Sequence, residues 1–202
     1  MVQAPPQPPT LSLQLPHNLA LRVTLEQFAT LAAVNRDIRL ERTATGELIV
    51  RPPTGGTTGI QNFEISGQLA IWCEANPALG LAFASSTGFT LPNSAILSPD
   101  ASWVRQERWD VLTPEQQEGF APFCPDFVLE LSEETDTLKD LRAKMTEYIE
   151  NGSQLGWLLD PKNKQVEIYR PGQAVEVLEN PDTLSGEPIL PGFCLDLQRV
   201  WG

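Results

Sequence analysis

The spacing of hydrophobic and polar residues divides the chain into alternating helical and extended segments. Apolar positions three and four residues apart predict helices over about residues 24–34, 58–75 and 136–150. Short apolar or alternating runs bounded by Gly, Pro and Asn predict strands. These strands are 37–42, 47–52, 81–85, 88–91, 101–105, 126–131, 155–160, 165–170 and 175–179. A short helix starting at Pro114 and a C-terminal strand with a helical turn complete an α/β domain, in which helices flank a mixed β-sheet.

Proline residues are concentrated before the first predicted helix, at positions 5, 6, 8, 9 and 16. We expect residues 1–18 to form a flexible N-terminal tail and residues 19–202 to form a single domain. The sequence has no apolar run of about 18 residues and no basic segment followed by an apolar core at its start. We therefore expect a cytoplasmic protein with no membrane partner.

The predicted helix over 58–75 is apolar on two sides. One side carries Ile60, Phe63, Gly67 and Ile71, and the other carries Ile65, Leu69 and Trp72. Such a helix is usually sandwiched, either inside its own domain or at a contact between subunits. The second alternative predicts a homodimer.

Histidine and cysteine usage excludes several kinds of active site. The single histidine, His17, lies beside Pro16 in the proline-rich segment, where a firmly held catalytic imidazole is not expected. One histidine cannot build a multi-histidine zinc site. The three cysteines are far apart and form no CxxC motif, so we expect buried thiols. For a hydrolase, carboxylates with a hard metal ion are the leading remaining option.

The chain has 202 residues and a formal net charge of -12, with a pI near 4.5. Such a charge repels nucleic acid and anionic membranes on average. Binding of nucleic acid therefore needs metal ions or a local basic patch. The candidates for a basic rim are Arg105, Arg108, Lys139, Arg142 and Lys144.

Glu130 lies within the strongly apolar strand 126–131, on the same face as Asp126. A buried carboxylate is costly unless it is paired, hydrogen-bonded or bound to metal, although a satisfied or edge-exposed glutamate without chemical function is an equal alternative. Asp126 is about 13 Å away along the strand, too far to share one ion with Glu130. Asp100, at the start of strand 101–105, is the better partner, unless it is only a Pro-Asp turn residue.

Lys144 flanks the apolar face of the helix over 136–150, and Arg142 flanks the opposite border. A lysine in this position often extends to solvent, and Arg142 is a rival cation. Together, however, two carboxylates on neighbouring strands and a lysine on the next helix suit a metal-dependent phosphodiesterase. The carboxylates would bind Mg²⁺, the main-chain carbonyl of Leu131 could add a ligand, and the lysine would offset phosphate charge.

Several motifs occur in an order and spacing that resemble a known family. They are PD at 99–100, ELS at 130–132, KM..Y..NG at 144–152, GWLLDP at 156–161 and VEIYRPG at 166–172. The sequence resembles the Uma-type putative restriction endonuclease family of the PD-(D/E)xK nuclease superfamily, over roughly residues 20–200. The resemblance implies a restriction-endonuclease-like core, Asp100 and Glu130 as metal carboxylates, and Glu64 as an additional acidic position.

The sequence departs from the superfamily pattern at one position. A lysine is expected two residues after the second acid, where this chain has Ser132. The resemblance implies that the lysine has moved onto the following helix, at Lys144. The neighbouring Glu133 and Glu134 make this region unusually acidic for the approach of a phosphate.

Three functions remain open at this point. The resemblance implies an endonuclease that cleaves DNA with Mg²⁺, or with Mn²⁺ as a substitute, and superfamily nucleases that cut both strands often form dimers. The net charge instead favours a catalytically weak or inactive module that keeps the nuclease fold for binding or assembly. A hydrolase of a small phosphorylated substrate is a third, weaker alternative that also tolerates an acidic surface.

Overall fold

The computed structural model describes residues 20–134 and 136–201. The predicted tail over residues 1–18, including His17, lies outside the described residues. The helices are α1 (Leu25–Val34), α2 (Gly56–Ala75), α3 (Gln106–Asp110), α4 (Pro114–Glu118), α5 (Leu138–Glu150) and α6 (Gln198–Trp201). The strands are β1 (Arg39–Arg42), β2 (Leu48–Arg51), β3 (Gly80–Ala84), β4 (Phe89–Thr90), β5 (Ile96–Leu97), β6 (Ala101–Arg105), β7 (Phe127–Leu131), β8 (Leu155–Asp160), β9 (Gln165–Tyr169), β10 (Glu176–Glu179), β11 (Thr183–Ser185) and β12 (Cys194–Asp196).

Capping residues determine where the main helices begin and end. Thr24 and Gln27 form a capping box at the start of α1. At the start of α5, the side chain of Thr137 accepts a hydrogen bond from the Asp140 amide. Beyond its end, Gly152 has a φ of +115°, a conformation that favours glycine. These two signals set the ends of α5, the 13-residue helix that connects the parallel strands β7 and β8.

The central sheet has six strands in the order β10-β9-β8-β7-β6-β3. The pair β7–β8 is parallel, and all its other neighbouring strands are antiparallel. The predicted fold class, a mixed sheet flanked by helices, is confirmed. Strand β6 pairs with β7 so that Ala101 lies opposite Leu129, which places Asp100 beside the end of β7.

Helices cover both faces of this sheet. On one face, Ile65 and Leu69 of α2 pack in one apolar cluster with Leu129 and Leu131 of β7. On the other face, Met145 of α5 packs in a second cluster with Val128 of β7. Because side chains alternate along a strand, Glu130 points toward the α5 face.

A second, four-stranded sheet has the order β2-β1-β5-β4. Its β1–β2 hairpin turns at Gly46, whose φ of +91° favours glycine. In this hairpin Arg39 pairs with Arg51, and β1 also pairs with β5 through Arg42 and Ile96. The hairpin therefore lies close to the segment between β5 and β6, which contains Asp100.

Most differences from the predicted elements concern short segments. Strands β5 and β11 and helix α3 have two to five residues, too few to give a clear periodicity.

Only one of the two apolar sides of α2 is covered in the described residues, because Ile60, Phe63 and Ile71 remain 67%, 76% and 67% exposed. The expectation of three buried thiols is confirmed for Cys124 and wrong for Cys194, which is exposed, while Cys73 is half-buried. In the described ranges, no helix is both long and apolar enough to cross a membrane.

Candidate active site

Asp100 and Glu130 lie at one edge of the central sheet and line the same cleft, which has a volume of about 200 Å³. Two hydrogen bonds fix Asp100 against β7. Its amide donates to the Leu129 carbonyl at 3.0 Å, and its Oδ2 accepts from the Leu131 amide at 2.9 Å. Both carboxylates are buried, with 6% and 3% of the residue exposed. The structure therefore brings together the two acids that the sequence singles out.

Lys144 reaches this cleft from the middle of α5. Its Nζ lies 2.8 Å from Glu130 Oε1 and 2.8 Å from Glu41 Oε1. Tyr148, one turn later, donates a hydrogen bond to Glu130 Oε1 at 3.0 Å. Arg142 instead contacts Glu167 on β9, with Nη2 and Oε1 2.6 Å apart. Of the two rival cations, the structure therefore places Lys144 at Glu130.

The β1–β2 hairpin adds three charged residues that the sequence analysis missed, Arg39, Glu41 and Arg51. Glu41 is fully buried, and its carboxylate accepts hydrogen bonds from Lys144, from Arg51 at 3.0 Å and from the Ser98 amide at 3.0 Å. A signal was present in the sequence, because Arg39 and Glu41 alternate with Leu40 in a predicted strand. Charged residues on one face of a strand indicate polar partners on that face.

Arg39 connects the hairpin to the carboxylate of Asp100. Its Nη1 lies 3.0 Å from Asp100 Oδ1, and its Nη2 lies 4.0 Å from Glu41 Oε1 and also contacts the Ser98 carbonyl. About a quarter of the Arg39 side chain is exposed, and the residue lines the cleft. Arg39 is thus a cation, partly accessible to solvent, that contacts Asp100 and Glu41 and borders the cleft.

Burial and charge act in opposite directions on the two glutamates. Burial raises the pKa of Glu130 to about 7, and the negative charges of Asp100 and Glu41 add to the effect of burial against the opposing effect of Lys144. Burial would also raise the pKa of Glu41, but Lys144 and Arg51 outweigh it and lower that pKa to about 2. Burial disfavours the charged ammonium of Lys144, yet Glu130 and Glu41 raise its pKa. Lys144 therefore carries its charge between two carboxylates.

The oxygen atoms at the cleft suit a hard divalent cation. In the described part of the chain, Glu130 Oε2 receives no hydrogen bond, although Oε1 receives one. The Leu129 carbonyl and the Leu131 amide both point toward Asp100. Because the amide and the carbonyl of one strand residue point to the same side of the strand, the Leu131 carbonyl also lies on the Asp100 side of β7. The described residues contain no group of three His, Cys, Asp or Glu side chains suited to a metal ion. Two carboxylates, one carbonyl and water fit Mg²⁺, which usually retains several waters.

Glu64 does not join this group. It lies on α2, which covers the opposite face of the sheet from Glu130, and its Oε2 is 3.1 Å from Arg199 Nε on α6. The predicted basic rim is also divided. Arg105 and Arg108 pair with Asp126 at the other end of β7, while Arg142 pairs with Glu167.

Comparisons with known proteins agree with this architecture. A family model described as Uma2, putative restriction endonuclease, matches residues 25–198. The crystal structure of a putative nuclease belonging to DUF820 from Anabaena variabilis ATCC 29413 is similar, with a TM-score of 0.69 and 21% sequence identity. The similarity covers 80% of this chain and 89% of that chain, and at this identity it concerns the fold. No curated protein matches the sequence.

Proposed function

Because the chain belongs to the Uma2 family of putative restriction endonucleases, we propose that it is a Mg²⁺-dependent DNA endonuclease. The proposed active site is the cleft lined by Asp100, Glu130 and Lys144. The observation that carries the proposal is the convergence of two buried carboxylates and a buried lysine from three separate elements on one cleft. Mn²⁺ is expected to substitute for Mg²⁺, since it also prefers oxygen ligands.

Asp100, Glu130 and the Leu131 carbonyl would hold the cation. When bound, Mg²⁺ would supply a water of lowered pKa and stabilise the negative charge of the phosphate. The Leu131 amide holds the Asp100 carboxylate in place, and the Tyr148 hydroxyl holds Glu130 Oε1 in place.

Lys144 would stabilise negative charge on the attacked phosphate. Glu41 holds its ammonium group from the side of the hairpin, and Arg51 in turn holds Glu41 at 3.0 Å. A charge that is held in place before the reaction stabilises a transition state more effectively than one that must first move. Arg39 at the same cleft can contact phosphate oxygens with its planar guanidinium.

The first test is metal binding and DNA cleavage by the purified full chain. We expect Mn²⁺ to bind the wild type in isothermal titration calorimetry and to support cleavage of DNA, and we expect Asp100→Asn to lose both. Glu64→Gln is the matched control, because Glu64 is also a paired acid but lies on the other face of the sheet. Absence of any metal-dependent DNA cleavage by the wild type would contradict the proposal.

A second candidate function follows from the pairing of the same acids. Asp100, Glu130 and Glu41 each already contact a cation of their own chain, namely Arg39, Lys144 and Arg51. Such saturation favours a catalytically weak or inactive module that keeps the fold for binding or assembly. The calorimetry with Mn²⁺ distinguishes the two functions, because a non-catalytic module is expected not to bind Mn²⁺ at millimolar concentration.

The exposed side of α2 supports a homodimer. Ile60, Phe63 and Ile71 lie on this side over about 16 Å of helix, and Gly67 between them leaves open space for a close approach. An isologous contact would bury the same stripe of both copies. We expect a dimer in light scattering of the wild type and a monomer for Phe63→Glu. A wild-type monomer at micromolar concentration would contradict the homodimer.

A further inference from the structure

A larger groove adjoins the candidate active site on the outer side of the β1–β2 hairpin. Its volume is about 600 Å³, and it lies between the hairpin, the segment after α1, Ser85–Ser86 and Phe120. Arg39, Arg51 and Thr54 line both this groove and the cleft. A ligand that extends along the groove would therefore lead directly to Asp100 and Glu130.

The charge of the groove differs from that of the whole chain. It is lined by three arginines, Arg36, Arg39 and Arg51, against a single acid, Asp37, whereas the chain carries a net charge of -12. Arg36 is exposed, and among the described residues no carboxylate lies within 4 Å of it; its Nε contacts only the Ala33 carbonyl, at 3.4 Å. The groove thus offers a cation that is free to bind an anion.

The other walls of the groove are apolar or carry hydroxyl groups. Val50 and Ile38 are 59% and 45% exposed, and Phe120 is partly exposed. Ser85 and Ser86 add hydroxyl groups to the opposite wall. Positive charge beside apolar and aromatic surface is the combination that binds single-stranded nucleic acid, because phosphates contact the cations and bases contact the flat apolar surfaces.

A duplex would need phosphate contacts spread over a broad basic surface. The arginines that could extend such a surface are engaged elsewhere: Arg105 and Arg108 with Asp126, and Arg142 with Glu167. In the groove, Arg39 and Arg51 contact Asp100 and Glu41, and Arg36 contacts no carboxylate among the described residues. These three cations line a groove of small-ligand size and not a broad surface. This distribution favours one strand over two.

We propose that this groove binds the nucleotides of one unpaired DNA strand next to the phosphate that is cleaved, with Arg36 as a binding residue outside the catalytic group. The inference rests on the proposed nuclease function and narrows its substrate to single-stranded or locally unpaired DNA. Arg36 contacts a phosphate, and Val50 and Phe120 contact bases.

The test is fluorescence anisotropy of a labelled oligodeoxynucleotide of about ten residues, a length suited to one binding groove. The strand is measured alone and as a duplex, in EDTA so that no cleavage occurs. We expect the wild type to bind the single strand several-fold more tightly than the duplex. We expect Arg36→Gln to weaken strand binding several-fold and to reduce the slope of log K against log salt by about 0.7.

Arg142→Gln is the matched control, because this arginine is half exposed, pairs with Glu167 and does not line the groove. We expect this variant to bind like the wild type. Equal or tighter binding of the duplex, or unchanged binding by Arg36→Gln, would overturn the inference. Competition by a mononucleotide as strong as that by the oligonucleotide would also overturn it, in favour of a small phosphorylated ligand.

These outcomes separate the two proposals. Cleavage of duplex DNA in Mn²⁺ without a preference for single strands would overturn the groove assignment and leave the nuclease proposal intact. Strand binding that depends on Arg36, without cleavage of any DNA in Mn²⁺, would support the groove and contradict the nuclease.

Discussion

Asp126 and Glu130 are two buried carboxylates on the same face of one stretch of chain, and their surroundings differ completely. Asp126, just before β7, accepts a hydrogen bond from the Arg105 amide at 3.0 Å and contacts Arg108 Nη1 at 3.0 Å. Both arginines are partly exposed. Glu130 pairs with Lys144, which is itself buried, and lies near two further acids, Asp100 and Glu41.

The difference shows that burial of a charged residue does not by itself indicate a functional site. Asp126 is neutralised by two cations and a main-chain donor, so it connects β6, α3 and β7 and has no surplus charge. Around Glu130, buried acids compete for the same cations, and burial raises the pKa of Glu130 to about 7. A buried acid whose pKa is raised and that lines a cleft is a candidate for a functional site.

The largest expected effect on stability comes from removing the cation that pairs with each of the two carboxylates. Lys144→Met leaves Glu130 and Glu41 without their shared buried partner, and we expect the free energy of unfolding to fall by about 3–5 kcal/mol. Arg108→Met leaves Asp126 with Arg105 and its amide, so we expect a loss of about 2 kcal/mol or less. Urea denaturation of both variants measures the difference. Equal losses would show that the two carboxylates are equivalent.

Neutralising the two acids separates catalysis from structure. We expect Glu130→Gln to reduce metal-dependent DNA cleavage by about 10²-fold or more, the scale on which losing a preorganised electrostatic group slows a reaction. Asp126→Asn removes the charge of a residue that directly precedes the same strand and does not line the cleft. We expect this variant, where it is folded by circular dichroism, to cleave DNA at the wild-type rate. Similar cleavage by both variants would remove Glu130 from the proposed site.

The pH dependence of stability tests whether Lys144 and Arg51 hold Glu41 in its ionised form next to Glu130. The folded-state pKa of Glu41 is lowered from 4.5 to about 2, so its ionised form stabilises the folded state above pH 4.5. That contribution is lost as the pH falls through about 2. We expect the difference in unfolding free energy between the wild type and Glu41→Gln to shrink steadily from pH 5 to pH 2. A constant difference over this range would contradict the lowered pKa.

The smallest expected effect concerns Arg142, two residues before Lys144 on the same helix. Its side chain is half exposed, so its ion pair with Glu167 is screened by solvent. We expect Arg142→Met to lower the unfolding free energy by less than about 1 kcal/mol and to leave metal-dependent cleavage unchanged. A loss of cleavage in this variant would restore Arg142 as the rival to Lys144.

The sequence was sufficient to predict the strands and the helix that position Asp100, Glu130 and Lys144. Hydrophobic periodicity predicts β7 and α5, and antiparallel pairing of neighbouring strands explains why Asp100 lies beside Glu130. The mixed sheet and the Uma2 family are confirmed. The predicted roles of the three residues stay predictions until they are measured.

The contribution of the β1–β2 hairpin could not be predicted in the same way. Arg39, Glu41 and Arg51 belong to a second sheet, and periodicity within a strand does not say against which distant helix the strand will pack. Glu64 is an additional acidic position only through the family resemblance. Helical periodicity does not reveal which face of the central sheet a helix covers, and α2 covers the face away from Glu130.

The contact between Glu41 and Lys144 joins residues 103 positions apart in the sequence. Contacts of such separation form late in folding, because the entropy of closing a long loop must be offset by other interactions first. The sheet and α5 can assemble from more local contacts, but Lys144 is held on both sides only after the N-terminal hairpin docks. We therefore expect DNA cleavage to recover later than tryptophan fluorescence during refolding, which would make activity a marker of the last folding step.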